Sequence, residues 1–319
     1  MTRLFILLIC VLTAPTSFAA ERSVTDDAGR TVTMPASPER IIVLHEPLIG
    51  VPLAELGLPP VGSYGRNDDG GTQMAADFYR LVLGDRAPDP LPRGIGALGN
   101  MDLEKMRSLE PDLIIGTEHD LEKAELLSAI APVYLQNSST GRVRGFNAEE
   151  SLAGLLGLEA AFEDRKAAYL ARLEAVRAAL PKDPREQDYL VIFLSDQINA
   201  VGEMAGMVQA LEDLGYSRLS PDRDSTVSGF GATLLVPLSA EVFGRLDPDL
   251  LVVMNSFGKN ARDEAAIRQS LDRIVPGWQH FLKPAREGRI LFVDSALVTT
   301  PTVASAMHML DAIESWAKK

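Results

Sequence analysis

Leu103-Glu104-Lys105-Met106-Arg107-Ser108-Leu109-Glu110-Pro111-Asp112-Leu113-Ile114-Ile115 is echoed 137 positions later by Ala240-Glu241-Val242-Phe243-Gly244-Arg245-Leu246-Asp247-Pro248-Asp249-Leu250-Leu251-Val252. In register, Glu104 meets Glu241, Leu109 meets Leu246, and Pro111-Asp112-Leu113 meets Pro248-Asp249-Leu250. Each copy reads as a short helix, a Pro-Asp turn and a continuous apolar strand. The spacing far exceeds the roughly 20–50-residue period of a stacked solenoid. It predicts two lobes of like architecture with a cleft between them.

Outward from the first copy, Val24 to Thr33 reads as a small hairpin. Arg40 to Leu44 reads as a strand buried on both faces, because apolar residues run through it without alternation. Gly50 to Leu56 is helical and stops at Gly57, and Pro59-Pro60-Val61-Gly62 turns into a second strand. Leu113 to Gly116 and Pro132 to Leu135 are further strands, separated by a helical stretch from Leu121 to Ile130. Outward from the second copy, strands are expected at Tyr189 to Leu194, Leu250 to Met254 and Arg289 to Val293. Helices are expected at Met204 to Leu214, Ala261 to Ile274 and Thr302 to Trp316. Alternation of strand and helix predicts an α/β fold of two similar lobes with mainly parallel sheets.

Between the copies, Glu159 to Leu180 is rich in Ala, Leu, Glu, Arg and Lys and stops at Pro181. Leu170, Leu173, Val176, Ala179 and Leu180 make its apolar stripe. A helix of some 20 residues spans roughly 30 Å. This single rigid helix, residues 159–181, joins an N-terminal lobe (20–158) to a C-terminal lobe (182–319) and predicts limited hinge motion.

The first residues read as a cleavable signal peptide, residues 1–19: Arg3, the apolar run Leu4 to Leu12, then Ser17-Phe18-Ala19. That run falls short of the roughly 20 apolar residues a bilayer requires. Cys10, the one cysteine, lies inside it behind Ile9, whereas a lipoprotein signal wants a small residue there. The expectation is a periplasmic protein that is not lipid-anchored and has neither disulfide nor thiolate chemistry once cleaved. A net charge of −13 argues against nucleic acid, whose phosphates demand clustered Lys and Arg.

Catalytic signatures are lacking: there is no H-E-x-x-H, G-x-S-x-G or P-loop, and only four histidines. Gly94-Ile95-Gly96-Ala97-Leu98-Gly99 fits G-x-G-x-x-G, but the fingerprint has meaning only between a strand and a helix. Pro88, Pro90 and Pro92 before it exclude a central strand. Its glycines are expected to let a cleft-edge loop approach a ligand. Ligands of open α/β sheets bind beyond the carboxyl ends of strands. That rule singles out His45-Glu46, Tyr64, Arg66 and Glu118-His119-Asp120 in the first lobe. In the second it singles out Ser195-Asp196, Asn255-Ser256-Phe257 and Asp294-Ser295. Phe230, in Ser228-Gly229-Phe230-Gly231, is an aromatic in a flexible loop.

At the repeated Glu…Leu-x-Pro-Asp-Leu blocks the chain resembles the periplasmic binding proteins of ferric-siderophore and cobalamin ABC importers. Asn100-Met101-Asp102-Leu103-Glu104, Ile130-Ala131-Pro132, Gly277-Trp278 and Gly288-Arg289-Ile290-Leu291-Phe292-Val293-Asp294 extend the likeness over nearly all of the chain after residue 19. The resemblance implies two lobes, a rigid linking helix, no enzymatic activity and no cofactor. It also implies a monomer that delivers its solute to a permease dimer in the inner membrane. One exposed glutamate per lobe docks on permease arginines in this family; by motif these are Glu104 and Glu241. Six residues before the docking glutamate, hydroxamate binders commonly carry Arg and cobalamin binders Trp, where this chain has Leu98. One position earlier, haem binders often carry Tyr, where this chain has Ala97. A ferric siderophore of another kind is the broadest fit, held by His45, Glu46, Tyr64, Arg66, Leu98 and His119 on one wall and Phe230, Asn255 and Phe257 on the other. The alternatives are cobalamin, haem, or a bare divalent metal on His45, Glu46 and His119. A rival from another class is an exported enzyme using Glu46 and Glu118 as acid or base.

Overall fold

The structure, a computed structural model, describes residues 20–97, 100–138, 144–201, 206–219, 235–256 and 261–319. Two main sheets form, one before and one after the Glu159–Ala179 helix in the sequence, in addition to the two-stranded hairpins Glu21–Thr25 with Thr31–Pro35 and Gly96–Ala97 with Asn100–Met101. The first is wholly parallel, in the order Arg93–Gly94, Gly62–Ser63, Ile41–Val43, Leu113–Thr117, Val133–Gln136. The second runs Leu235–Leu238, Ile198–Val201, Asp188–Leu194, Leu250–Asn255, Ile290–Phe292. Its last three strands are parallel, whereas Ile198–Val201 runs antiparallel to both its neighbours, Asp188–Leu194 and Leu235–Leu238. The second lobe therefore departs from the plan of the first. Asp196 sits in the tight connection that folds Leu194 back onto Ile198, a hairpin the apolar runs alone do not signal.

The repeat holds to the residue. Its helices are Leu103–Ser108 and Ala240–Arg245, and its strands begin at Leu113 and Leu250. Each helix is N-capped by the residue before it. Asp102 accepts from the N–H groups of Glu104 and Lys105, and Ser239 from that of Val242. The repeated Asp of the Pro-Asp turn has the same task in both lobes. Asp112 accepts from the Glu39 and Arg40 N–H groups at 2.7 and 2.9 Å, pinning the start of Ile41–Val43. Asp249 accepts from the Asp188 N–H at 3.1 Å, pinning the start of Asp188–Leu194.

The linking helix buries Phe162, Tyr169, Leu173 and Val176. Leu170, expected on that stripe, is instead exposed, because Tyr169 occupies the inward position and bonds Asp213 Oδ2 through its hydroxyl at 2.8 Å. One apolar core runs from Ile41 and Val43 through this helix to Tyr189, Val191 and Phe193, and on to Met309 and Ile313 of the closing helix Val303–Ala317. The outer faces of the two sheets have cores of their own, around Ile42 and Met106 and around Ile192 and Trp278.

The closing helix belongs to the second lobe but starts against the first. Val303 N–H donates to Glu149 Oε2 at 2.8 Å, Ala304 N–H to Glu55 Oε2 at 3.0 Å, and Ser305 N–H to Thr302 Oγ1 at 3.1 Å. The first three orphan donors of the helix are thus all met, two of them by buried glutamates of the other lobe. Carboxylates at a helix N-terminus also complement its dipole. No helix among the described residues is long and apolar enough to cross a membrane.

Candidate functional site

The loops beyond the strand ends meet across the two lobes. Arg262, in the loop after Leu250–Asn255, donates to Asp294 Oδ1 at 2.8 Å, beyond Ile290–Phe292. It also donates to the Ala75 carbonyl at 3.4 Å, in the segment that follows Gly62–Ser63. The cleft lies at this edge. Arg262 was missed by the strand-end rule because it stands several residues past the strand.

His45 closes Ile41–Val43 and caps the π-helical turn Glu46–Gly50, its Nδ1 accepting from the Leu48 N–H at 3.2 Å. With Nδ1 an acceptor, the neutral ring carries its proton on Nε2 and offers a donor. The ring reaches solvent, yet it is set among dense protein. Desolvation lowers its pKa to about 4, with Asp120 pulling the other way. Half-buried Tyr64 packs beside the outer core of this lobe, and His119 is exposed, 3.9 Å from Glu118.

Glu46 and Arg66 are placed on each other rather than on a solute. Arg66 donates from Nε and Nη2 to the Glu46 carboxylate at 2.5 and 2.8 Å, from Nη2 to Asp77 at 2.8 Å, and from Nη1 to the Gly70 carbonyl at 2.6 Å. Its guanidinium lies over the Tyr79 ring, 4.8 Å from the centroid. Both charged side chains are fully buried. Burial pushes the Glu46 carboxyl up against the opposing pull of Arg66, while Glu46 and Asp77 hold the guanidinium more firmly charged. Two bonds from one guanidinium edge to one carboxylate favour the ionised pair. The pair fastens the segment from residue 66 to 77 to the first strand. Gly50 permits it, since a Cβ there would meet the Tyr79 hydroxyl at 2.3 Å. Asp77 and Tyr79 carried no sequence signal, because neither follows a strand.

Asn255 is likewise turned inward. It is fully buried, and its Nδ2 donates to the Ala261 carbonyl at 2.7 Å. Glu118 accepts from the Ser138 N–H and hydroxyl at 2.9 and 3.0 Å, and Asp120 forms the capping box with Thr117. Glu46 and Glu118 are thus each held by partners within the first lobe, and the His45, Glu46, His119 metal trio is not assembled among the described residues. No group of three or more His, Cys, Asp or Glu fit to hold a metal occurs among the described residues. Leu98, Phe230 and Phe257 lie outside the described residues, as does the signal segment 1–19.

The G-x-G-x-x-G run begins in the edge strand Arg93–Gly94 and continues into the hairpin strand Gly96–Ala97, paired with Asn100–Met101. No helix follows at the place a dinucleotide needs. Its first glycines are required by the fold itself. A Cβ at Gly94 would strike the Arg66 carbonyl, and Gly96 has φ +127° beside the Asn100 carbonyl. A polar bay of about 540 Å³ opens next to this hairpin, lined by Asn67, Asp68, Asp69, Gln73 and Lys105, with Gly96 and part of Arg66 at its wall.

Glu104 and Glu241 point outward, with side chains 85% and 81% exposed, each at the second position of its helix. Two lobes, a stiff linking helix, facing strand-end loops and a matched outward glutamate on each lobe define a cleft-type solute-binding protein. The chain belongs to the periplasmic binding protein family, whose family model matches residues 77–297. It is 27% identical, over 98% of its length and 95% of the relative's, to a putative ABC transporter substrate-binding lipoprotein of Bacillus subtilis (strain 168), YhfQ. It is 22% identical to the Fe(3+)-citrate-binding protein YfmC of the same organism, over 86% of this chain and 78% of that one. Among solved structures, it superposes on Staphylococcus aureus SirA complexed with staphyloferrin B at a TM-score of 0.70. The identity there is 20%, covering 93% of this chain and 98% of that one. Bacillus subtilis FeuA complexed with ferri-bacillibactin gives a TM-score of 0.68 at 18% identity, again over 93% and 98%.

Proposed function

We propose that this protein is the extracytoplasmic carrier of an ABC importer, capturing a ferric siderophore between its lobes and delivering it without chemical change. The observation that carries the reading is the meeting of strand-end loops from two lobes at Arg262, which sets a cleft where a solute is gripped from both sides. The relatives named for ferric citrate and for iron chelates support the cargo class. In this reading the lobes are residues 20–158 and 182–319, the linker is 159–181, and residues 1–19 direct export to the periplasm.

The solute meets His45 through its Nε2–H, with Tyr64 and His119 beside it. Leu98, Phe230 and Phe257 supply apolar wall, while Glu46, Arg66 and Asn255 act one step back by holding loops in place. Glu104 and Glu241 meet basic groups of the permease, where opposite charge steers encounter. Titration with ferric citrate, a ferric catecholate and a ferric hydroxamate, followed by quenching of Trp278 and Trp316 fluorescence, tests the cargo. Saturable quenching with the chelate recovered intact supports carriage. Absence of binding to every iron chelate, or conversion of one, refutes it.

A further inference from the structure

The two docking helices are not equivalent, and the repeat register shows where they part. Gly244 stands where the first copy has Arg107. In the first lobe Arg107 Nη1 pairs with Glu104 Oε1 at 2.6 Å, covering part of that carboxylate's charge. In the second lobe the one ion-pair partner of Glu241 among the described residues is Arg245, one position further on, at 3.6 Å. The room left by Gly244 is taken by an aromatic ring from elsewhere in the chain. Phe281, at the end of the Trp278–Phe281 helix, lies with Cε2 3.4 Å from where a Gly244 Cβ would stand. Gly244 is three residues from Glu241, so ring and carboxylate sit about one helical turn apart. Phe281 is 48% exposed, while the neighbouring Phe243 and Trp278 are buried. Lys283, two residues on, is spent on Asp247 at 2.6 Å, which also takes Arg289 at 2.6 Å.

We infer that the docking face of the second lobe is a composite of Glu241 and the ring of Phe281, fitted to a permease surface that sets an apolar recess beside a basic side chain. The first lobe, with a tightly paired Glu104 and Arg107 in place of the ring, offers a purely charged face. The carrier therefore docks in one orientation, on a permease whose two receiving surfaces differ. This rests on the reading of Glu104 and Glu241 as docking residues. The occupant is the permease because the ring is seated on the helix that presents Glu241. A half-exposed phenyl is also the aromatic contact that protein interfaces enrich.

The test measures binding of the ligand-free protein to its permease–ATPase complex in lipid nanodiscs, at two salt concentrations. Phe281→Ser is compared with Glu241→Lys and with Leu126→Ser, a loss of apolar surface at an exposed position elsewhere. Circular dichroism melting, expected to be unchanged, confirms folding. The expected result is a roughly ten-fold weaker Kd for Phe281→Ser with salt dependence retained, since the lost contact is apolar. Glu241→Lys should lose both affinity and salt dependence, and Leu126→Ser should match the wild type. If Glu241→Lys loses binding while Phe281→Ser does not, or if Leu126→Ser weakens binding equally, the composite face is refuted and the docking role of Glu241 stands. If all three bind like the wild type, the docking reading falls and takes this inference with it.

Discussion

Glu149 of the first lobe accepts the N–H of Val303, the first residue of the closing helix, at 2.8 Å, and Glu55 accepts the next N–H. Burial, added to the charge of Glu55 beside it, pushes the Glu149 carboxyl well above the usual range. Glu55 is raised by burial too, with Arg86 at 3.6 Å and Arg165 pulling it back. A carboxyl raised in the folded state contributes stability below its unfolded pKa, and that contribution is lost as pH rises toward the folded value. Thermal midpoints should therefore fall as pH rises above about 4.5, by up to about 1.4 kcal/mol per pH unit for one such group. Glu149→Gln, which keeps an acceptor for Val303, should flatten that fall. Parallel pH profiles for the two proteins would refute the assignment.

Arg66 is surrounded by Glu46, Asp77, the Gly70 carbonyl and the Tyr79 ring. Arg66→Ala leaves a buried carboxylate without its counter-charge and should cost about 3–5 kcal/mol in chemical denaturation. Arg66→Lys should recover little of it, because an ammonium cannot make the paired bonds. A loss under about 1 kcal/mol would place the side chain at the surface instead.

His45 should titrate near pH 4 in a proton NMR series. Its pKa is lowered on folding, so the stability it contributes is present above about 6.5 and lost as pH falls toward 4. Solute affinity should accordingly not change through His45 between pH 6 and 8. A midpoint near 6.5 would show that the ring is not desolvated.

Charge reversal at both Glu104 and Glu241 should leave solute affinity and melting unchanged, since both side chains face solvent. Uptake of the iron chelate by cells should be abolished. Normal uptake would remove these residues from the docking role.

The exported protein should begin at Ala20. N-terminal sequencing and intact mass decide this: a chain starting at a lipidated Cys10 would make it a membrane-anchored carrier instead.

The repeat was legible because its chemistry is local. A capping residue, a Pro-Asp turn and an apolar run recur at fixed spacing, and their helices and strands begin where the alignment puts them. The long helix was legible for the same reason, although Leu170 and Ala179 of the expected stripe are exposed. The antiparallel strands Ile198–Val201 and Leu235–Leu238 were not legible, since their pairing is set by a hairpin and a distant segment. At the cleft, the strand-end rule found the right neighbourhood and could not tell which polar side chains face outward. Glu46 and Arg66 both follow strands, but their mutual attraction turns them inward, a relation between residues 20 positions apart that no periodicity encodes. Glu55 and Glu149 sit on apolar helix faces, and a charge there is the cue that a backbone donor from afar must meet it.

The shared core that threads both sheets and the strut between them gives this carrier the character of a fixed gauge. Prising the halves widely apart would wet Phe162, Tyr169 and Val176 and strip two backbone donors of their acceptors. With Glu104 and Glu241 as its feet, the expected span is nearly the same laden or empty, so that the gate beneath would read a full load from the feel of the rim, not from the width of the stance.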